Sequence, residues 1–289
     1  MREQDGWLEI QSPAAAQPVR LYCREWLPAG APRAKLLLAH GLAEHSGRYE
    51  HVARFFAGHG FSLHAIDHEG HGKSAGTPGF VASFQHYLDG LSALLDHARR
   101  DGDAVPLFLI GHSMGGLIAA LFLLGHQQAF AGCVLSGPLV KSDAEPPRLV
   151  LLVNRLLSKI LPRLGVLRLD ATAVSRDPVV VERYLSDPLV FNGKVTTRLV
   201  NELFVATRRL VAEAGAIRIP LLLLHGESDR LTSPEGSKLL HGLVSSTDKT
   251  LKHYPGLYHE IFNEPEQVEV LTDVLAWLQR HLPGDASID

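Results

Sequence analysis

The chain has 289 residues, of which 46% are hydrophobic, and a formal net charge of −3 at pH 7. That size suits one large α/β domain, or one domain carrying an insertion, and the near-neutral charge gives no general basis for nucleic-acid binding. There is no run of about 18 apolar residues, so no transmembrane segment is expected.

The opening residues Met1-Arg2-Glu3-Gln4-Asp5-Gly6 lack the apolar core of a secretory leader, so none is expected. Strands are expected at 7–11 and 19–26, with a hairpin loop at 12–18 between them. The only cysteines, Cys23 and Cys133, fall in different expected strands. They read as buried free thiols, which suits a reducing, cytoplasmic compartment. A strand at 35–40 runs into His40-Gly41-Leu42, and a helix is expected at 48–59. The strand at 62–66 leads into a glycine-rich loop, where Asp67 is expected to shape the turn. Within it, Gly70-His71-Gly72-Lys73-Ser74 lacks the upstream glycine of a phosphate-binding loop, so nucleotide binding is rejected.

After a helix at 83–100 comes the most informative stretch, 106–116. A short apolar run ends at Gly111, and a helical pattern over 114–126 begins after Ser113. Gly111-His112-Ser113-Met114-Gly115 fits a Gly-x-Ser-x-Gly nucleophile elbow. A serine on so sharp a turn needs neighbours without Cβ atoms, because the following helix crowds it.

A strand at 132–136 follows, and then about 80 residues interrupt the alternation. A structureless loop of that length is improbable in a compact domain, so 140–215 is expected to be a helical cap inserted between core segments 1–139 and 216–289. Within it, Arg148, Arg155, Lys159 and Arg163 recur at spacings of seven, four and four along 148–164. Leu149, Leu152, Val153, Leu156, Leu157, Ile160 and Leu164 cover the other side. Such a helix could rest on a membrane surface. At about 1.5 Å per residue it reaches roughly 24 Å, too short and too charged to cross one. The alternative is that its apolar side packs onto the core or lines the acyl tunnel, and half of that side is expected to do so. Pro162 should disturb the last turn.

Ile219-Pro220-Leu221-Leu222-Leu223-Leu224-His225 reads as a buried parallel strand. Gly226-Glu227-Ser228-Asp229 follows at its C-terminal end. A helix at 233–243, a strand at 249–253 and the turn-rich Tyr254-Pro255-Gly256-Leu257-Tyr258-His259 come next. In the final helix, 265–282, Leu271, Val274, Leu275, Leu278 and Leu282 form a core-facing stripe. The whole pattern implies a mostly parallel eight-stranded sheet with helices on both faces. Ser113, Asp229 and His259 then all lie at strand C-terminal ends, where such sheets gather active sites. Their order along the chain is that of α/β-hydrolases.

In this reading Ser113 is the nucleophile, His259 its general base, and Asp229 the group that orients and stabilises the imidazole. Glu227 shares the loop of Asp229 and is a rival acid, whereas Asp248 lies before a strand, at the wrong end of the sheet. An oxyanion hole needs two backbone N–H groups. One is expected from Met114 and the other from the loop after strand 35–40. No Cys/His spacing suggests a metal and no dinucleotide fingerprint is present, so no cofactor is expected.

Five segments together resemble the monoacylglycerol lipases and lysophospholipase-like members of a serine aminopeptidase S33-type family of α/β-hydrolases. They are His40-Gly41-Leu42-Ala43-Glu44-His45-Ser46-Gly47-Arg48-Tyr49, Asp67-His68-Glu69-Gly70-His71-Gly72-Lys73-Ser74, Gly111-His112-Ser113-Met114-Gly115-Gly116, Ser186-Asp187-Pro188-Leu189 and His225-Gly226-Glu227-Ser228-Asp229-Arg230. The resemblance spans about 20–280 and is weakest in the cap. It implies Asp229 rather than Glu227 as the acid and Leu42 as the second oxyanion donor. It also implies a polar pocket end formed by Glu44 and Arg48, joined by Tyr184. A plain i,i+4 ion pair is the competing reading for Glu44 and Arg48, and His45 and His112 are expected to be structural. The activity implied is hydrolysis of a lipid ester, a monoacylglycerol before others. A lysophospholipase, a short-chain carboxylesterase, a peptidase and a non-catalytic ligand receptor on the same fold stay open. The oligomeric state is left open.

Overall fold

The computed structural model describes residues 1–11, 17–100, 105–141 and 147–282. Its strands in chain order are β1 (Arg2–Ile10), β2 (Val19–Leu27), β3 (Ala34–Ala39), β4 (Phe61–Ile66), β5 (Leu107–His112), β6 (Gly132–Ser136), β7 (Gly165–Leu167), β8 (Val195–Thr196), β9 (Leu221–Gly226) and β10 (Lys249–Tyr254). Its α-helices are α1 (Glu50–Gly58), α2 (Gln85–Arg99), α3 (Met114–His126), α4 (Arg148–Ile160), α5 (Pro178–Ser186), α6 (Thr197–Glu213), α7 (Pro234–Leu243) and α8 (Gln267–Arg280).

Eight strands form one sheet in the order β1-β2-β4-β3-β5-β6-β9-β10, and β2 alone runs against the rest. β1 begins at Arg2, five residues earlier than the apolar pattern suggests. It is an edge strand, so residues 2–5 stay exposed and carry no alternation. Most of the 12–18 loop lies outside the described residues. Both cysteines are buried and free.

Strand alternation sorts side chains between two cores. Leu37, Leu109, Leu135 and Leu223 join the side covered by α2, α3 and α7. Leu36, Leu38, Ile110 and Leu224 join the side covered by α1 and α8, where the stripe of α8 is buried. The central β5–α3 junction is tight. A methyl group on Gly115 would stand 2.0 Å from the Ala39 carbonyl oxygen, and one on Gly111 would stand 2.5 Å from the Gly115 carbonyl oxygen. Ser113 joins strand to helix with φ 56°, a left-handed value that non-glycine residues seldom adopt.

Between β6 and β9, α4, α5 and the β7–β8 ribbon precede α6. The latter packs Leu199, Leu203, Ala206 and Leu210 into the core that holds α3. Helix α4 stops at Ile160, four residues before the expected end, because Pro162 bars helical geometry at the residue before it. Its orientation departs from expectation only in part: Leu152 borders a cavity that α6 also lines, and Leu157 is half-buried. Asn154 and Ser158 are buried, whereas Leu149, Leu152, Val153, Leu156 and Ile160 are exposed. Asn154 Nδ2 donates to the Thr197 carbonyl oxygen at 3.2 Å, so the polar side meets α6. Arg163 lies off the helix, stacked 5.1 Å from the Phe80 ring. No described helix is long and apolar enough to cross a membrane.

Replacing Gly115 by alanine should destabilise the fold by roughly 3 kcal/mol or more, because backbone and not a flexible side chain blocks the new methyl. Gly125→Ala, on the same helix but facing open space, should instead stabilise by up to about 1 kcal/mol. Denaturant melts of both variants test the contrast.

Candidate active site

Three turns at the C-terminal edge of the sheet supply the site. The Ser113 turn is held by its own backbone: its N–H donates to the Ser136 carbonyl at 3.0 Å, and its carbonyl accepts from Leu139 N–H at 3.0 Å. Asp229 follows β9 and His259 follows β10, adjacent parallel strands. His259 Nδ1 donates to Asp229 Oδ2 at 2.6 Å. Asp229 Oδ1 accepts from the N–H groups of Leu231 and Thr232 at 2.8 and 3.0 Å, and Thr232 Oγ1 donates to Oδ2 at 2.9 Å. His225 Nε2 lies 3.1 Å from the same Oδ2.

Electrostatics follow from this geometry. Burial resists ionisation of Asp229, but His259 and His225 outweigh it and hold the carboxyl far below the usual range. Burial pulls the imidazole of His259 down, yet Asp229 prevails and leaves it above its ordinary value. With Nδ1–H committed to Asp229, Nε2 of neutral His259 is the nitrogen free to accept a proton. The ring of His112, the residue before Ser113, sits 4.7 Å from that of His259. Burial first, and His259 second, push His112 down to about 4, so it stays neutral.

A cavity of about 1130 Å³ opens here, lined by Leu42, Glu44, Ser113, Met114, Tyr184 and His259 among others. Asp229 stands behind His259 and does not line it; nor does Arg48. Met114 opens α3, so its N–H is one of those without an intrahelical acceptor. In the loop after β3, Gly41 N–H is already given to Glu44 Oε1 at 2.6 Å.

Glu44 and Arg48 do form the i,i+4 ion pair, at 2.9 Å, within a larger buried cluster. Glu44 Oε1 also accepts from Tyr49 OH at 2.7 Å. Arg48 makes a two-pronged bond to Glu260, 2.6 Å on each prong, and stacks 4.7 Å from the ring of Tyr184. Burial opposes the charge on Glu260, but Arg48 keeps it ionised and below its ordinary range. His45 Nε2 pairs with Asp187 at 3.0 Å, joining this loop to the Ser186-Asp187-Pro188-Leu189 segment. Asp67 accepts from Ser46 N–H and Oγ at 2.8 and 2.6 Å and from Lys73 N–H at 2.9 Å, a loop-shaping role. The rival acids stand apart: Glu227 is exposed, and Asp248 pairs with His281 at 2.9 Å.

Glu260, Thr232, His225 and Tyr49 receive no role from the sequence. Glu260 directly follows His259, but its partner Arg48 lies 212 positions away. No local spacing signals that contact. No group of three or more His, Cys, Asp or Glu side chains able to hold a metal occurs among the described residues.

Sheet topology and the serine elbow together define an α/β-hydrolase. The chain belongs to the family described as serine aminopeptidase, S33, whose model matches residues 30–266. It is 41% identical to a monoacylglycerol lipase of Mycolicibacterium smegmatis over 91% of this chain and 94% of that protein. It is 36% identical to the human monoglyceride lipase over 90% of this chain and 87% of that one. The crystal structure of a Paleococcus ferrophilus monoacylglycerol lipase superposes with a TM-score of 0.82 at 34% identity, covering 90% of this chain and 99% of that one.

Arg48→Met should strand two buried carboxylates and cost roughly 3–5 kcal/mol at pH 7. The deficit should shrink on acidification, because Glu260 loses the Arg48 charge that holds it below its ordinary range and, once protonated, needs no partner. Urea titrations at pH 7 and pH 5 measure both effects.

Proposed function

We propose that this chain is a serine hydrolase that cleaves monoacylglycerol to fatty acid and glycerol through an acyl-enzyme on Ser113. The observation that carries the reading is one cavity lined by Ser113 and His259, with Asp229 bonded to the far side of the imidazole at 2.6 Å. Ser113 Oγ attacks the ester carbonyl carbon while His259 Nε2 takes the hydroxyl proton. The carbonyl electrons move onto oxygen, where the N–H groups of Met114 and Leu42 receive the charge. Gly41 N–H is occupied by Glu44, which favours Leu42 as the donor from that loop. The ester C–O bond then breaks, and His259 returns the proton to the departing glycerol oxygen. Water, deprotonated by His259, attacks the acyl carbon and frees the acid and Ser113.

The head group is set by charge. Glu44, Glu260 and Tyr184 line one end of the cavity, and Arg48 compensates only one of the two carboxylates. A choline phosphate ester would bring its anion to this negative end, whereas hydroxyl groups would not be repelled. Burial raises the Tyr184 phenol, so it stays neutral and able to donate to a hydroxyl.

Residues 140–215 serve as the cap, with α6 as its floor. Leu149, Val153, Leu156 and Ile160 face outward beside Lys159, outside the cavity lining. That side of α4 suits contact with a membrane surface from which substrate is drawn. A cytoplasmic setting agrees with the two free thiols.

Ser113→Ala should abolish turnover and fluorophosphonate labelling with no change in melting temperature; persistent labelling would remove the nucleophile. Activity should rise with pH through the His259 transition, above its ordinary 6.5, because the base must be neutral. Glu260→Gln removes a charge that favours the imidazolium, so its acid limb in kcat/KM should move to lower pH. At matched chain length, monoacylglycerol should be hydrolysed faster than lysophosphatidylcholine, and the reverse order would refute the head-group argument. Leu156→Glu with Ile160→Glu, both outside the cavity lining, should lower flotation with phosphatidylglycerol vesicles while soluble short-ester hydrolysis persists.

A further inference from the structure

The cavity has two electrically different ends. The inner end holds Ser113, His259 and the buried Glu44 and Glu260. The outer end is marked by the exposure of Leu152 (63%) and Val205 (57%), on α4 and α6. Two exposed arginines on those same helices, Arg155 and Arg208, also line the cavity, and their exposure sets them with Leu152 and Val205 rather than with the buried carboxylates. Neither forms an ion pair among the described residues. Leu151, Leu152, Phe204 and Val211 supply apolar wall between the ends.

Nothing in the ester-cleavage scheme uses these two cations. The substrate head is neutral, and its reacting carbonyl lies at the opposite end. An unpaired guanidinium pair beside an apolar channel is complementary to an amphiphile with one chain and an anionic oxygen head. The inner end, with two carboxylates against one arginine, repels that head. Together the two ends orient such a ligand one way, chain inward and anion outward.

We propose that Arg155 and Arg208 form a subsite for the carboxylate of a free fatty acid, whose chain occupies the apolar channel. The subsite rests on the ester-hydrolase reading only for the source of its ligand, since the acid is that reaction's product. Binding itself requires no catalysis. Acid that has left the inner end and re-enters in this reversed orientation blocks the channel, so accumulated acid competes with incoming ester.

The test is calorimetric titration of the Ser113→Ala protein with dodecanoate and with 1-dodecanol, each as monomer, at pH 8. Arg155→Gln with Arg208→Gln, introduced into that background, should weaken dodecanoate about tenfold and leave dodecanol unchanged. Retained dodecanol binding shows that the channel is still folded. Equal weakening of both ligands, or of neither, would overturn the subsite. It is equally overturned if dodecanoate is unaffected and only partitioning onto phosphatidylglycerol vesicles falls, since the arginines would then serve a membrane surface. Because neither ligand carries an ester bond, a wrong substrate or nucleophile assignment leaves this outcome unaltered.

Discussion

The closest constraint in the molecule is the approach of α3 to β3. Gly115 lies so near the Ala39 carbonyl that no Cβ fits between them. That contact lets the chain reverse within one residue at Ser113, which accepts a left-handed φ of 56°. Strain of this kind costs about 1–3 kcal/mol and persists only where the surroundings enforce it. Here they do so through bonds from Ser113 to Ser136 and Leu139. The hydroxyl is thereby presented at the sheet edge, where the β9 and β10 turns deliver Asp229 and His259.

Buried charge organises the rest of this edge. Glu44, Arg48 and Glu260 are all removed from water, and each has at least two polar contacts with the others or with Gly41, Tyr49 and Asn263. The cluster ties the loop after β3 to the residue following His259. It therefore sets the distance between the proposed oxyanion donor and the proposed base, whose geometries must agree within a fraction of an ångström for acyl transfer. Replacing such a network with apolar groups can be neutral for stability, so its value here is positional.

Helix α4 inverts the usual relation between amphipathicity and burial. Leu149, Val153, Leu156 and Ile160 are exposed while Asn154 and Ser158 point inward. The reason is local: α6 offers the Thr197 carbonyl, a polar partner, at the point of contact. An exposed face of this kind is not the outcome of hydrophobic collapse within one chain, and under the proposed function it is the surface offered to lipid.

Periodicity alone was enough to place all eight strands of the main sheet and five flanking helices, because burial on both faces imposes apolar runs and helical stripes. Chain order and strand-end position were likewise legible for Ser113, Asp229 and His259, since the elbow and loops are contiguous in sequence. The early start of β1 was not, because an edge strand needs no apolar alternation. The inward face of α4 was hidden too, because an amphipathic stripe states that one side is apolar without stating which phase it meets. Glu260 escaped notice for a third reason: an ion pair spanning 212 positions leaves no mark on spacing. The linear chain thus settled the strands and helices of the core and which side chains stand at the C-terminal edge of the sheet, through local sterics and hydrophobic periodicity. Only the tertiary structure decided which buried charges neutralise one another and which way the cap helix faces, because both depend on contacts between segments that the fold alone brings together.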